Sequence, residues 1–206
     1  MAIVKVSKSE RTRRTIVEAA RKLFGEKGFD RTTVREIASA AEIDPALVIR
    51  YFGSKDQLFA QAAEFRLDLP DVTNVDRSRI GEALVQHYLA VWEGEAGTGG
   101  LPILLRSATS SETAAEQMRE IFLRQVLPAV RAIKGGRGAS RRAALVASQL
   151  LGVALCRYIL KFPPMVAMPR EMLVVEVGRT IQRYATGEDA TEGYSICRSH
   201  GLDARD

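Results

Sequence analysis

Apolar side chains recur along this chain at three- and four-residue intervals and almost nowhere at alternate positions. Ile16, Ala19, Ala20, Leu23 and Phe24 share one helical face. Gly28 follows them, free to take a left-handed cap. Thr32 and Thr33 offer capping hydroxyls to a short second helix carrying Val34, Ile37, Ala38 and Ala41. Asp44 and Pro45 open a third helix that Gly53 closes after Phe52. Ser54-Lys55-Asp56-Gln57 has the capping-box spacing. It opens a fourth helix with Leu58, Ala62, Phe65 and Leu69 on one face, stopped by Pro70.

From 76 to 93 the apolar positions lie on more than one face: Ile80, Leu84, Tyr88 and Val91, but also Val85, Leu89 and Trp92. That pattern predicts a buried helix. A loop at 94–100 precedes a short apolar helix over 101–108. Ser110 or Ser111 caps a longer one with Met118, Ile121, Phe122, Gln125 and Ala129 on one side, kinked or restarted at Pro128. After the break at 135–138, Ser140 caps a helix to Lys161, which Pro163 and Pro164 end. Pro169 opens the last helix, to Ala185, with Leu173, Val177, Ile181 and Tyr184 in line. No hairpin turn signal occurs, so the fold class is all-α, with about nine helices. The divisions are a head at 1–53, a helical body at 54–187 and an aperiodic, disordered acidic tail at 188–206.

Charge sharpens this picture. The chain of 206 residues carries a net +5, yet residues 1–35 hold ten Lys and Arg against four acids. Residues 188–206 hold five acids and two Arg. A basic segment beside a helical pair points to phosphate contact. Other chemistry is thin. Two histidines and two cysteines supply neither a metal site nor a disulfide framework, and no cofactor is expected. Gly97-x-Gly99-Gly100 follows no strand and lacks dinucleotide spacing. The apolar run from Ala143 to Cys156 is shorter than the ~18 residues of a membrane span, and no secretory signal is evident. A cytoplasmic protein that does not engage membranes is the expectation. The Arg131, Lys134, Arg137, Arg141 and Arg142 cluster reads as a solvated loop, with binding of an acidic partner as the lesser alternative.

The informative segment is 32–55, TTVREIASAAEIDPALVIRYFGSK. Ala38 is small enough for close helix approach, while Ile37, Ile43, Val48 and Phe52 can share a core. Ala46, Leu47, Ile49, Arg50 and Tyr51 are then left on outer and flanking faces. A helix held this way can enter the DNA major groove, with its partner across the backbone. Lys55 stands at a helix N-terminus, where amide groups and the dipole favour a phosphate.

Residues 14–63 resemble the DNA-binding domain of the tetracycline-repressor (TetR) family of bacterial transcription regulators. The likeness rests on Ile16, Ala19, Ala20, Leu23, Phe24, Lys27-Gly28-Phe29, Thr32-Thr33-Val34, Ile37-Ala38, Ala41, Leu47-Val48, Tyr51-Phe52, Ser54-Lys55 and Leu58. The resemblance implies that Thr33 bonds a phosphate and that Ala46, Leu47, Ile49 and Arg50 face the groove. It implies also that Tyr51 and Lys55 hold the backbone. The family commonly carries tyrosine where Ile49 stands. Ile49 offers apolar contact only, so base readout shifts toward Arg50 and the arm residue Arg13 or Arg14.

The resemblance further implies a ligand-binding and dimerisation body. Phe65, His87, Tyr88, Trp92, Leu104, Arg106, Met118 and Phe122 are candidates to line an effector pocket, although each alone could be ordinary core. Ala144, Ala147, Ser148, Leu151 and Leu155, with Val177, Ile181 and Tyr184, are candidates for a four-helix homodimer interface. The function implied is a repressor that binds a palindromic operator in double-stranded DNA as a homodimer and is released by a small-molecule effector. The rival is a helical carrier or interaction protein that has lost operator binding. An enzyme is not expected, because no nucleophile or acid–base motif is present.

Overall fold

The computed structural model describes residues 7–94 and 100–187, and these are helical, without a strand. The start of the basic arm, the 95–99 loop and the acidic tail with Cys197 and His200 lie outside the described residues.

Four helices build the head: α1 (Lys8–Lys27), α2 (Val34–Ala40), α3 (Pro45–Phe52) and α4 (Lys55–Ala62). Their ends follow from local chemistry. Ser7 accepts from the Glu10 amide, and Gly28 closes α1 at φ 78°. Thr33 and Glu36 form a reciprocal capping box on α2. Asp44 caps α3 with Pro45 in its first turn, and Gly53 ends it at φ 79°. Ser54 accepts from Gln57 N on α4. Ile16, Phe24, Ile37, Ala38, Leu58 and Phe59 are fully buried together, each large side chain worth about 1.5–3 kcal/mol of transfer free energy.

The body comprises α5 (Ile80–Glu93), α6 (Gly100–Ser107), α7 (Glu112–Ile121), α8 (Leu127–Ile133), α9 (Ala139–Ala154), α10 (Pro163–Ala167) and α11 (Arg170–Thr186). It closes the head's core, because Ile103, Leu104 and Ala114 belong to the same buried cluster as Phe24 and Phe59. The Phe29 amide also donates to Ser107 Oγ at 3.1 Å. In the body, α5 lies along α11 at a glycine crossing. A Cβ on Gly81 would run into Gly178 O and come within 2.7 Å of Gln182 N. The Gly81 amide donates to Gln182 Oε1 at 2.7 Å.

The structure departs from the sequence reading at several elements. α4 stops at Ala62 rather than Leu69, and residues 64–71 form an irregular strap. Its last carbonyls find other donors: Ala62 O accepts from Arg21 Nε and Ala60 O from Gln117 Nε2, both at 3.0 Å. The helix capped by Ser111 restarts at Leu127 with Pro128 in the first turn of α8, as the sequence predicts, but a π-helical turn at Phe122–Val126, which the sequence did not signal, joins the two pieces. Gly138, at φ 86°, precedes α9 in place of a Ser140 cap. A second π turn, Leu155–Ile159, carries α9 onward to give 21 continuous helical residues. By length and composition alone that helix meets the requirement for a membrane span, as the core helix of a soluble protein also does, and the expectation of none is not overturned by it. Arg142 is not solvated. It is buried, and its guanidinium donates to the carbonyls of Lys134, Gly135 and Arg137 at the end of α8.

Candidate nucleic-acid interface and interior cavity

The turn between α2 and α3 is tight. Ile43 N donates to Ala38 O at 3.0 Å, and Glu42 adopts φ 55° to make the corner. Sequence reading did not single out Glu42, since no glycine or asparagine marks the position. Val48 and Phe52 anchor α3 inward, which leaves Ala46, Ile49 and Arg50 exposed and Leu47 and Tyr51 half-buried. Arg50 pairs with no group among the described residues.

The other candidate cations are engaged. Arg13 donates to Gln61 Oε1 at 2.9 Å and to Tyr51 O at 3.4 Å, and its guanidinium lies 4.8 Å from the Phe52 ring centre. It braces α1 against α3 and α4 instead of reaching outward. Arg14 pairs with Glu18 at 3.2 Å along its own helix. Lys55 Nζ sits 4.1 Å from the Phe29 ring centre, a cation–π contact. Thr33 Oγ1 donates to Glu36 Oε2 at 2.9 Å and accepts from Glu36 N at 3.2 Å, so its hydroxyl is already occupied by the capping box. The Lys27 ammonium, 2.7 Å from Glu36, holds that carboxyl down to about 2, helped by the Thr33 amide and hydroxyl.

A cavity of about 110 Å³ lies among α5, α7, α8, α9, the first π turn and the strap. His87, Tyr88, Trp92, Met118 and Phe122 line it, as the sequence reading expects. Three other candidates do not. Phe65 packs beside Trp92 and Leu101 in a neighbouring cluster. Leu104 is fully buried in the head's core, and Arg106 is exposed. Strap residues Leu67 and Leu69 complete the wall, missed because they were assigned to a continuing helix. His87 Nε2 donates to Leu67 O at 2.7 Å, and Gln125, from the π turn, accepts from Leu67 N at 2.7 Å. The Tyr88 hydroxyl and Trp92 Nε1 are buried without a partner. Burial pushes the Tyr88 phenol well above its ordinary range. Trp92 stacks on Tyr158, with ring centres 4.9 Å apart. Burial and then Glu93, bonded at 3.0 Å, raise the Tyr158 hydroxyl to about 12.

The eight interface candidates divide. Ala144 and Ser148 on α9 and Leu155 at the start of the second π turn are exposed, but Ala147 and Leu151 line the cavity. Ile181 is fully buried in the protomer's own core, against which Val177 and Tyr184 also pack. The outward side of α11 is carried by Met172 and Val175 instead. A stripe read at helical spacing covers both sides of a helix that is apolar on two faces. Among the described residues no three His, Cys, Asp or Glu side chains gather to hold a metal.

Comparison with known proteins places both parts. Residues 78–185 match the tetracyclin repressor-like C-terminal domain, and residues 16–62 match the bacterial regulatory proteins of the tetR family. The HTH-type transcriptional regulator HbdR of Aromatoleum sp. is 43% identical over 49 residues, covering 24% of this chain and 21% of that protein. The HTH-type transcriptional repressor NicS of Pseudomonas putida is 32% identical over 80 residues, covering 33% of this chain and 38% of that protein. These curated relatives are thus matched over well under half of their length. A TetR-family regulator from Streptomyces coelicolor superposes over 90% of this chain and 99% of its own, at 28% identity and a TM-score of 0.51. A TetR-like regulator from Rhodococcus sp. RHA1 shares the fold at a TM-score of 0.65, covering 89% of this chain and all of its own at 16% identity.

Proposed function

The chain belongs to the tetracycline-repressor family of bacterial regulatory proteins, and from that premise we propose that it is a homodimeric transcriptional repressor. It holds a palindromic operator with α2 and α3 and releases it when a small molecule enters the cavity. The observation that carries this reading is Ile49. Nine large apolar side chains are exposed among the described residues, and in the head there is one, Ile49, at the centre of the outer face of α3. It is 46% exposed beside unpaired Arg50. A solvated helix face gains nothing from that isoleucine, whereas a face that meets thymine methyls does.

The dimer rests on the distribution of the rest. Seven of the nine, from Leu145 to Val175, lie on α9, the second π turn, α10, α11 and the connections between them. Exposed apolar surface of this kind marks an interface, and a second copy is the occupant that two half-sites require. Release is a population shift. The effector acts only by preferring the state that cannot bind DNA. The physical route runs from the cavity through the strap, held by His87 and Gln125, into the end of α4.

The test is a salt titration of binding to DNA upstream of the protein's own gene, beside random DNA. Specific binding should exceed non-specific binding by at least ~10³. Arg50→Ala should relax preference at particular bases at a cost of about 1–3 kcal/mol. Lys55→Ala should weaken all sequences alike and reduce the salt slope by about one. Equal binding to every sequence in a genome-wide fragment selection would overturn the repressor reading in favour of a carrier.

A further inference from the structure

We propose that the effector is an uncharged, hydrocarbon-like molecule of about one ring, without a hydrogen-bonding group, held in the cavity by apolar contact alone. This deepens the repressor reading and rests on it for the word effector, though not for the binding itself.

Three observations select the class. The first is charge. The residues around the cavity include no Asp, Glu, Lys or Arg. A carboxylate or an ammonium ion would lose its hydration there and find no partner, a cost that apolar contact does not recover. The second is hydrogen-bonding capacity. His87 Nε2 is committed to Leu67 O and Leu67 N to Gln125 Oε1, both at 2.7 Å. The Tyr88 hydroxyl and Trp92 Nε1 are covered by protein atoms, so these two residues offer a guest carbon and not their polar atoms. The surface that meets a guest is almost wholly apolar. A hydroxyl brought inside gives up its water and bonds to nothing, whereas a methyl group in its place loses no hydrogen bond. The third is size. At about 110 Å³ the cavity is comparable to the ~150 Å³ apolar cavity that binds benzene, which makes one ring the guest it fits. Met118 in the wall is unbranched and adaptable, so the lining can follow the outline of that ring. Ala129 of α8 and Ala147 of α9 are half-buried small residues of the wall, where a longer side chain would take up the space.

The experiment compares toluene with phenol, in which a hydroxyl replaces the methyl group at nearly the same size, and with benzoate and naphthalene. Binding to the full-length protein is followed by calorimetry and by the fluorescence of Trp92, the single tryptophan of the chain. Toluene should bind saturably, phenol at least about tenfold more weakly and benzoate at least about a hundredfold more weakly. Naphthalene should bind more weakly than toluene in spite of its larger apolar surface. Tyr88→Phe should leave the toluene-to-phenol ratio within about twofold, because the hydroxyl faces no guest. Ala129→Leu or Ala147→Leu should lower toluene affinity by at least about tenfold while the cooperative melt is kept. Toluene should also release the operator. Phenol or benzoate binding as tightly as toluene, naphthalene ahead of toluene, or no binding of any probe would overturn the proposal. So would a ratio that Tyr88→Phe changes, or toluene affinity unchanged in both filled variants. The order among the probes is read on the wild type and decides the matter even if a filled variant does not fold. Specific operator binding with no toluene binding, or with toluene binding that releases no DNA, defeats this inference and leaves the repressor reading. Toluene binding without specific DNA affinity defeats the repressor reading and leaves the ligand class.

Discussion

Single side chains in the head do two jobs that composition cannot separate. Glu36 closes the α2 capping box and also ties α1 to α2 through Lys27. Its carboxyl titrates at about 2 in the folded protein against a reference of 4.5. The stabilisation it gives is therefore complete above pH 4.5 and is lost as pH falls toward 2. Thermal melts at descending pH should show the wild type losing more Tm across that window than Glu36→Gln; equal losses would mean that the pairing contributes nothing. Ile49 presents the opposite case. It is exposed, so Ile49→Ala should change unfolding free energy by no more than about 0.5 kcal/mol. The same variant should lower preference for A·T pairs at one operator position in a binding-site selection. Stability and recognition thus separate at one residue, and an altered melt with unaltered DNA preference would assign Ile49 to structure.

Helices were legible wherever period, cap and breaker agreed. Thr33, Asp44 and Ser54 each cap a helix where the sequence places a cap, whereas the Ser7 cap of α1 was not singled out. The body was less legible, for a physical reason. Phe65 and Leu69 continue the apolar period of α4, but Arg21 and Gln117 satisfy its last carbonyls from other helices, and period alone carries no trace of that. The π turns likewise insert no breaker residue, yet they rotate Gln125 onto the strap and Tyr158 beneath Trp92. Glycine inside α5 and α11 was equally silent. Gly81 faces Gly178 O and the α11 backbone, where a methyl group finds backbone rather than a yielding side chain. Gly81→Ala should destabilise by about 1–3 kcal/mol through forced separation of α5 and α11. Gly178→Ala, whose nearest neighbour is Glu82 Cα at 3.3 Å, should cost less. Chemical denaturation of both variants checks the order, and a harmless Gly81→Ala would show the crossing to be loose.

At the scale of the molecule, head and body share a core: Ile103 and Leu104 of α6 are as buried against α1 and α4 as the head's own residues. The body thereby presents the head, and in the proposed homodimer DNA affinity would depend on how two bodies hold two heads. The outer face of α11 can be charged without touching this core, because Met172 is 51% and Val175 39% exposed in the protomer. Met172→Arg combined with Val175→Arg should leave the helical content and the cooperative melt of the chain in place while placing unpaired charge at the centre of the proposed interface. Sedimentation should then report a monomer where the wild type is a dimer. Because two linked half-sites exceed one by ~10²–10⁴ in affinity, operator binding should fall by at least about a hundredfold. A double variant that still sediments as a dimer would move the interface off α11, and a monomer that still binds the full operator tightly would remove the need for two-fold symmetry in recognition.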